Sequence, residues 1–170
     1  KETLATECIT QDTSLTEICK GADVLIGVSA AGAFTEEILK GLNKDPIIFA
    51  MANPVPEVLP EVAQKVRPDC IVATGRSDYA NQINNVMCFP FLFRATLDTR
   101  AKHINEEMKM AAALALAGLA KEEVPKSVCD AVKRDLKFGR DYVIPTPFDP
   151  RLLGVVSVAV AKAAMDSGEA

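Results

Sequence analysis

The sequence has no tryptophan, two tyrosines and a single histidine. It carries 19 Lys and Arg against 23 Asp and Glu, a net charge of −4. With few rings to stack on and no basic excess, a nucleic-acid surface is excluded. A membrane-length apolar run is also missing. The longest uncharged apolar run, Met110 to Ala120, is mostly alanine and well short of the roughly 20 residues that a span needs. The five cysteines (Cys8, Cys19, Cys70, Cys88 and Cys129) are odd in number and form no C-x-x-C, so neither a disulfide framework nor a zinc knuckle is indicated. They read as reduced thiols of a cytoplasmic protein, mostly buried as small apolar groups. His103 alone cannot build a His-rich metal site, and a surface place near a helix start suits it better than a general-base role. There is no G-x-G-x-x-G, no nucleophile elbow and no carboxylate cluster of metal-ligand character, so no complete catalytic constellation is present. The start shows no basic stretch leading into an apolar core; Lys1 to Ile9 reads like the middle of a domain.

What is present describes a folded α/β chain. Apolar residues make up 49% and charged residues 25%, with no low-complexity tract, so disorder is not expected. Short apolar runs alternate with helical segments, the pattern of a parallel sheet. Asp23 to Gly27, Ile47 to Met51 and Ile71 to Thr74 are the expected strands. Ser14 and Glu17 have capping-box spacing for a short helix that Gly21 closes. Thr35 with Glu36 and Glu37 starts a second helix, and a third covers about Leu59 to Val66. Pro90 should begin or kink a helix ending near Thr99. Further helices are expected over about Asn105 to Lys121, Ser127 to Lys137 and from Asp149 and Pro150 to before Gly168. Met110 to Ala120 and Leu152 to Met165 lack a polar face and should be buried all round. Packing beneath this domain's own sheet is favoured for them, and contact with another domain or subunit is the alternative.

Ligands of open parallel sheets collect beyond the carboxyl ends of the strands, and here all three exits are unusual. The first, Gly27 to Gly32, combines glycine with small side chains, which allows a ligand near the backbone; a tight turn alone explains the spacing equally well. Its G-x-x-x-x-G begins like a P-loop, but Ala33 and Phe34 replace the required Lys and Ser or Thr, so nucleotide-triphosphate hydrolysis is rejected. The second exit is Asn53-Pro54. The amide can hold a carboxylate or carboxamide without bringing a charge, although Asn-Pro is also a common turn. The third is Gly75-Arg76-Ser77-Asp78, where Arg76 either pairs with Asp78 or binds an anion, followed by Asn84-Asn85. Local capping satisfies one of those two amides more easily than both.

At these exits the sequence resembles the malic enzymes, most closely the bacterial type often fused to a phosphotransacetylase-like domain. The resemblance rests on Gly21 to Gly32, Met51 to Glu57, Ala73 to Tyr79, Asn81 to Pro90, Ile104 to Lys109 and Pro145 to Leu152, in the family's order. Ala80 departs from it, since proline is expected before Asn-Gln. The resemblance implies oxidative decarboxylation of (S)-malate to pyruvate and CO2, with NAD or NADP taking the hydride and Mn2+ or Mg2+ assisting. It implies a cofactor-binding set of Ser29, Ala30, Ala31, Gly32, Asn53 and Asn84, and substrate contacts from Asn53 and Asn85. The metal ligands and catalytic groups of the family precede the matched region. The resemblance therefore implies part of a partial Rossmann-like, doubly wound sheet over residues 1–100, with closing helices over 101–170. It also implies the remainder of the enzyme chain and further subunits as partners. The expected result is that these 170 residues alone make no NAD(P)H from malate; measurable malate-dependent reduction would overturn that. A stand-alone dinucleotide-binding or regulatory module is the alternative. Amino-acid or folate dehydrogenases sharing the fold are disfavoured by the Asn53, Asn84 and Asn85 set.

Overall fold

The structure, a computed structural model, describes residues 13–170. Cys8 and the stretch Lys1 to Ile9 lie outside the described residues. The chain divides into two compact units between Gly75 and Arg76.

The first unit is built in the order α1 (Leu15–Cys19), β1 (Val24–Gly27), α2 (Glu36–Gly41), β2 (Ile47–Ala50), α3 (Pro60–Val66) and β3 (Ile71–Thr74). Local chemistry sets the helix starts. The Ser14 hydroxyl accepts from Glu17 N while the Glu17 carboxylate accepts from Ser14 N, the reciprocal cap that its spacing predicts. Thr35 Oγ1 accepts from Ile38 N at the start of α2, with Glu36 and Glu37 at the positive end of the helix dipole.

The strands are parallel in the order β1-β2-β3, with Val24 opposite Ile47 and Ile47 opposite Ile71. Because they are in step, Gly27, Ala50 and Thr74 end together, and the three exits open along one edge. Leu25, Ile48 and Val72 share a core with Cys19 of α1, Ile38 and Leu39 of α2, and Ala63 of α3. Burying a side chain such as Leu39 or Ile48 contributes about 1.5–3 kcal/mol, enough for strands this short to hold their register.

Arg67, just after α3, staples the unit. Its guanidinium donates to Leu39 O, Leu42 O and Asn43 O, at 3.0, 2.9 and 2.5 Å. Leu39 O otherwise accepts only the long capping bond from Leu42 N, at 3.4 Å, and the Leu42 and Asn43 carbonyls follow the end of α2. The same group forks onto Asp69 at 2.9 and 2.7 Å, and Asp69 also accepts from Asp45 N.

The second unit holds a 3₁₀ turn (Asn85–Met87) and helices α4 (Phe89–Thr99), α5 (Glu106–Lys121), α6 (Lys126–Val132) and α7 (Arg151–Asp166). Pro90 lies in the first turn of α4, where its missing N–H removes no helical bond. Leu152, Val156, Val160 and Ala164 of α7 pack with Leu92 and Ala95 of α4 and with Met108, Ala112 and Leu119 of α5. Ser157 Oγ donates to Phe91 O across the same contact.

Three expectations change here. The apolar helices are not buried all round: Leu114 is 65% and Val158 67% exposed, with Met110, Leu153 and Met165 also open. The buried sides of these helices meet α4 and each other in a core that contains no strand residue. The helix after Pro125 stops at Val132, because Lys133 turns into the left-handed region at φ 55° and its N–H returns to Asp130 O. At α7, Asp149 does cap, accepting from Arg151 N, but the helix begins one residue after Pro150. Asp149 is buried against the Arg151 guanidinium, which reaches on to Glu123 O beyond the end of α5.

Cys19 and Cys70 are buried and Cys88 and Cys129 partly so, all as free thiols. Burial pushes the Cys19 and Cys88 thiols up, away from reactive thiolate. Among the described residues, no helix is long and apolar enough to cross a membrane.

Candidate nucleotide and substrate site

In the first unit, β1 runs out at Gly27 into an exposed loop, Val28 to Gly32. The two glycines of that loop do different things. Gly32 adopts φ +77°, a conformation that side chains other than glycine's resist, and a Cβ there would meet nothing within 4 Å. Its backbone is therefore open to a ligand. Gly27 is not open. A Cβ on it would lie 2.5 Å from Glu57 Cδ and 2.6 Å from Phe34 Cζ, so the space that glycine vacates is filled by the protein itself.

Glu57 is the residue that sequence reasoning missed. It is fully buried, and its Oε1 accepts from Ser29 N at 2.6 Å and from Ser29 Oγ at 3.2 Å. Its Oε2 accepts from Ala52 N at 2.9 Å. Burial works against the charged form, but the bonds from Ser29 and Ala52 outweigh it and keep the carboxyl below its ordinary range. The signal available in the sequence was an acidic residue in the otherwise apolar run Val55 to Val58. One carboxylate thus brings Ser29 and the residue before Asn53 together. Asn53 itself is exposed, and its bond to Pro54 is cis. Ala30 and Ala31, also exposed, complete the loop.

In the second unit, Arg76 takes the ion-pair option: Nε and a terminal nitrogen fork onto Asp78 at 2.9 and 2.7 Å, with Tyr79 under the guanidinium. The paired asparagines divide as capping predicts. Asn84 Oδ1 accepts from Val86 N at 3.1 Å, which leaves its NH2 free to donate outward. Asn85 is exposed, and among the described residues its side-chain amide has no partner. Asn81 anchors this segment, donating to Arg140 O and accepting from Val143 N. A cleft of about 360 Å3 lies between Tyr79 to Gln82 and Tyr142 to Phe148, and neither Asn84 nor Asn85 lines it. His103 is at the surface as expected, with Nδ1 3.2 Å from Glu169.

Three parallel strands ending in a small-residue loop and an amide define a Rossmann-like α/β region of the dinucleotide-binding class. The family model described as malic enzyme, NAD binding domain, matches residues 1–134, and the chain belongs to the malic enzyme family. The NADP-dependent malic enzyme of Halomonas elongata is 54% identical over 162 residues, covering 95% of this chain and 38% of that protein. The NAD-dependent malic enzyme of Rhizobium meliloti is 54% identical over 151 residues, covering 88% of this chain and 20% of that protein. The crystal structure of malic enzyme from Pyrococcus horikoshii superposes with a TM-score of 0.76 at 41% identity, covering 91% of this chain and 33% of that one. The chain thus spans well under half the length of these relatives.

The loop Ser29 to Gly32 fits a dinucleotide, because its exposed backbone carries no bulky side chain. A divalent cation does not fit this chain in the same way. Among the described residues, no three His, Cys, Asp or Glu side chains gather as a donor set.

Proposed function

We propose that this chain is the binding half of a malic enzyme site, in an enzyme that oxidatively decarboxylates (S)-malate to pyruvate and CO2 and reduces NAD or NADP. In this reading Ser29, Ala30, Ala31 and Gly32 line the nicotinamide ribose, partly through their backbone. Asn53 stands beside both substrate and nicotinamide, Asn84 contacts the cofactor, and Asn85 binds the malate carboxylate. The metal is Mn2+ or Mg2+, held by residues outside this segment. The whole enzyme is cytoplasmic and oligomeric. One observation carries the substrate assignment: of two adjacent amides, Asn84 spends its oxygen on capping, while Asn85 is exposed and uncommitted. Both amides keep an NH2, but the cap ties the Asn84 side chain to the 3₁₀ turn, whereas the Asn85 amide can turn its NH2 to a carboxylate, which accepts only.

The test is Asn85→Ala in the malic enzyme that carries these residues. A hydrogen bond to a charged group is worth about 2 kcal/mol, so the KM for malate should rise about thirtyfold. The KM for the dinucleotide should stay within about twofold, because a residue confined to the substrate contributes nothing to cofactor binding. An unchanged malate KM, or an equal rise for both, removes Asn85 from this role.

A further inference from the structure

We infer that Glu57 is a positioning residue for the dinucleotide: its buried carboxylate fixes the loop leaving β1 against the loop leaving β2. Ser29–Gly32 and Asn53 are thereby presented as one surface. The inference rests on the functional reading above and adds a residue to it.

The chemistry of the clamp requires a carboxylate. Ser29 N approaches from one loop and Ala52 N from the other, each meeting a different oxygen of Glu57. Two converging N–H donors need two acceptors, and an ionised carboxyl is the side chain that offers acceptors on both sides. An amide of the same shape would turn its NH2 towards one of those donors. Packing alone would be served better by an apolar residue, since a buried charge is costly to desolvate. No cation offsets that charge: among the described residues Glu57 has no Lys, Arg or His partner, and its stabilisation comes from N–H and O–H donors.

Two further observations show a built feature. The main-chain oxygen of Glu57 accepts from Phe34 N at 3.2 Å, so one residue grips the β1 loop at Ser29 and again at its far end. Between these grips Val28 to Gly32 stay exposed. The carboxyl group also lies where a Cβ of residue 27 would be, so glycine at the strand end and glutamate at 57 are matched to each other. Glu57 is fully buried and cannot itself touch a bound reactant without that surface moving. Its effect on binding is transmitted through Ser29 and Ala52.

The test is Glu57→Gln in the malic enzyme that carries these residues, with dinucleotide binding measured by calorimetry alongside steady-state rates. Losing one charge-assisted bond and turning an NH2 onto a donor should raise the dinucleotide Kd and KM about tenfold. The kcat should change less than about threefold, because a group remote from the reacting atoms acts on binding geometry. Ser29→Ala removes the hydroxyl arm only and should give a smaller rise, about threefold, by loss of one bond. Because Ser29 also faces the proposed cofactor, Glu57→Asp decides the matter if Glu57→Gln fails to fold: it keeps the charge, draws the carboxylate one methylene back from both donors, and should also raise the dinucleotide Kd. Unchanged dinucleotide Kd in a folded Glu57→Gln enzyme, or in Glu57→Asp, overturns the inference while leaving the malic enzyme reading intact. A wild-type enzyme that binds the dinucleotide but does not oxidise malate removes that reading, and the Kd comparison still judges Glu57.

Discussion

Gly27→Ala is expected to destabilise the first unit by about 3 kcal/mol, at the upper end of ordinary overpacking. The added methyl would sit 2.5 Å from Glu57 Cδ and 2.6 Å from Phe34 Cζ. Neither neighbour is a loose chain end. The Glu57 carboxylate is pinned by three hydrogen bonds, and Phe34 is buried in the core beside Ile38. Relief therefore requires the strand end itself to shift. At roughly 2–4 °C per kcal/mol for a chain of this size, the melting temperature should fall by about 6–12 °C, as followed by far-ultraviolet circular dichroism. Because the clash is with Glu57, the double variant Gly27→Ala/Glu57→Ala should lose less than the two single losses added together. A fall below about 2 °C, or strict additivity, would place the crowding elsewhere.

The second large effect is at Arg67. Arg67→Ala removes three bonds to carbonyls at and beyond the end of α2 and both arms of the fork to Asp69. The expected loss is about 3 kcal/mol, mostly from half-buried carbonyls left without donors. Arg67→Lys should recover only part of it, because an ammonium cannot serve a fan of carbonyls and a carboxylate at once. The pH dependence follows from Asp69. The Arg67 guanidinium, then the Asp45 N–H, holds its carboxyl well below the usual carboxylate range. A carboxyl with a depressed folded pKa binds fewer protons folded than unfolded, so stability rises with pH between the two values. Its contribution is complete above the unfolded value of about 4 and is lost as pH falls from there towards the folded value. Glu57, also lowered, acts with the same sign. Urea midpoints should therefore drop on acidification below about pH 4, and the drop should be shallower in Arg67→Ala. Equal slopes in the two proteins would mean that the pair carries none of the acid sensitivity.

These two residues also mark where sequence reading ran out. The cap at Ser14, the start at Thr35, Pro90 at a helix beginning and three short apolar strands are local features, written within a few neighbouring residues. They were legible for that reason. Arg67 reaches Leu39, Leu42 and Asn43, and Glu57 reaches Ser29, all more than 20 residues away. No spacing rule encodes such a partnership until the sheet has brought the loops together. Gly27 was legible as a close approach, but whether ligand or protein approached was not, because both require the same missing Cβ. The early end of α6 was hidden for a related reason: its left-handed cap is Lys133, not glycine. Asn84 and Asn85 stood out as a pair, yet only the 3₁₀ turn shows which of them is already occupied.

The in-step parallel sheet has one more consequence. Among the described residues β1 is an edge strand, and its sequence, Val24-Leu-Ile-Gly27, carries no charge, proline or bulge. Ile26 and Val24 are exposed on it. Natural edges are normally blunted by such devices, because unpaired N–H and C=O groups will accept any extended strand that arrives. An edge this plain is adhesive. If nothing covers it, stray pairing between copies competes with folding, so its sequence is suited to a neighbouring strand and poorly suited to open water.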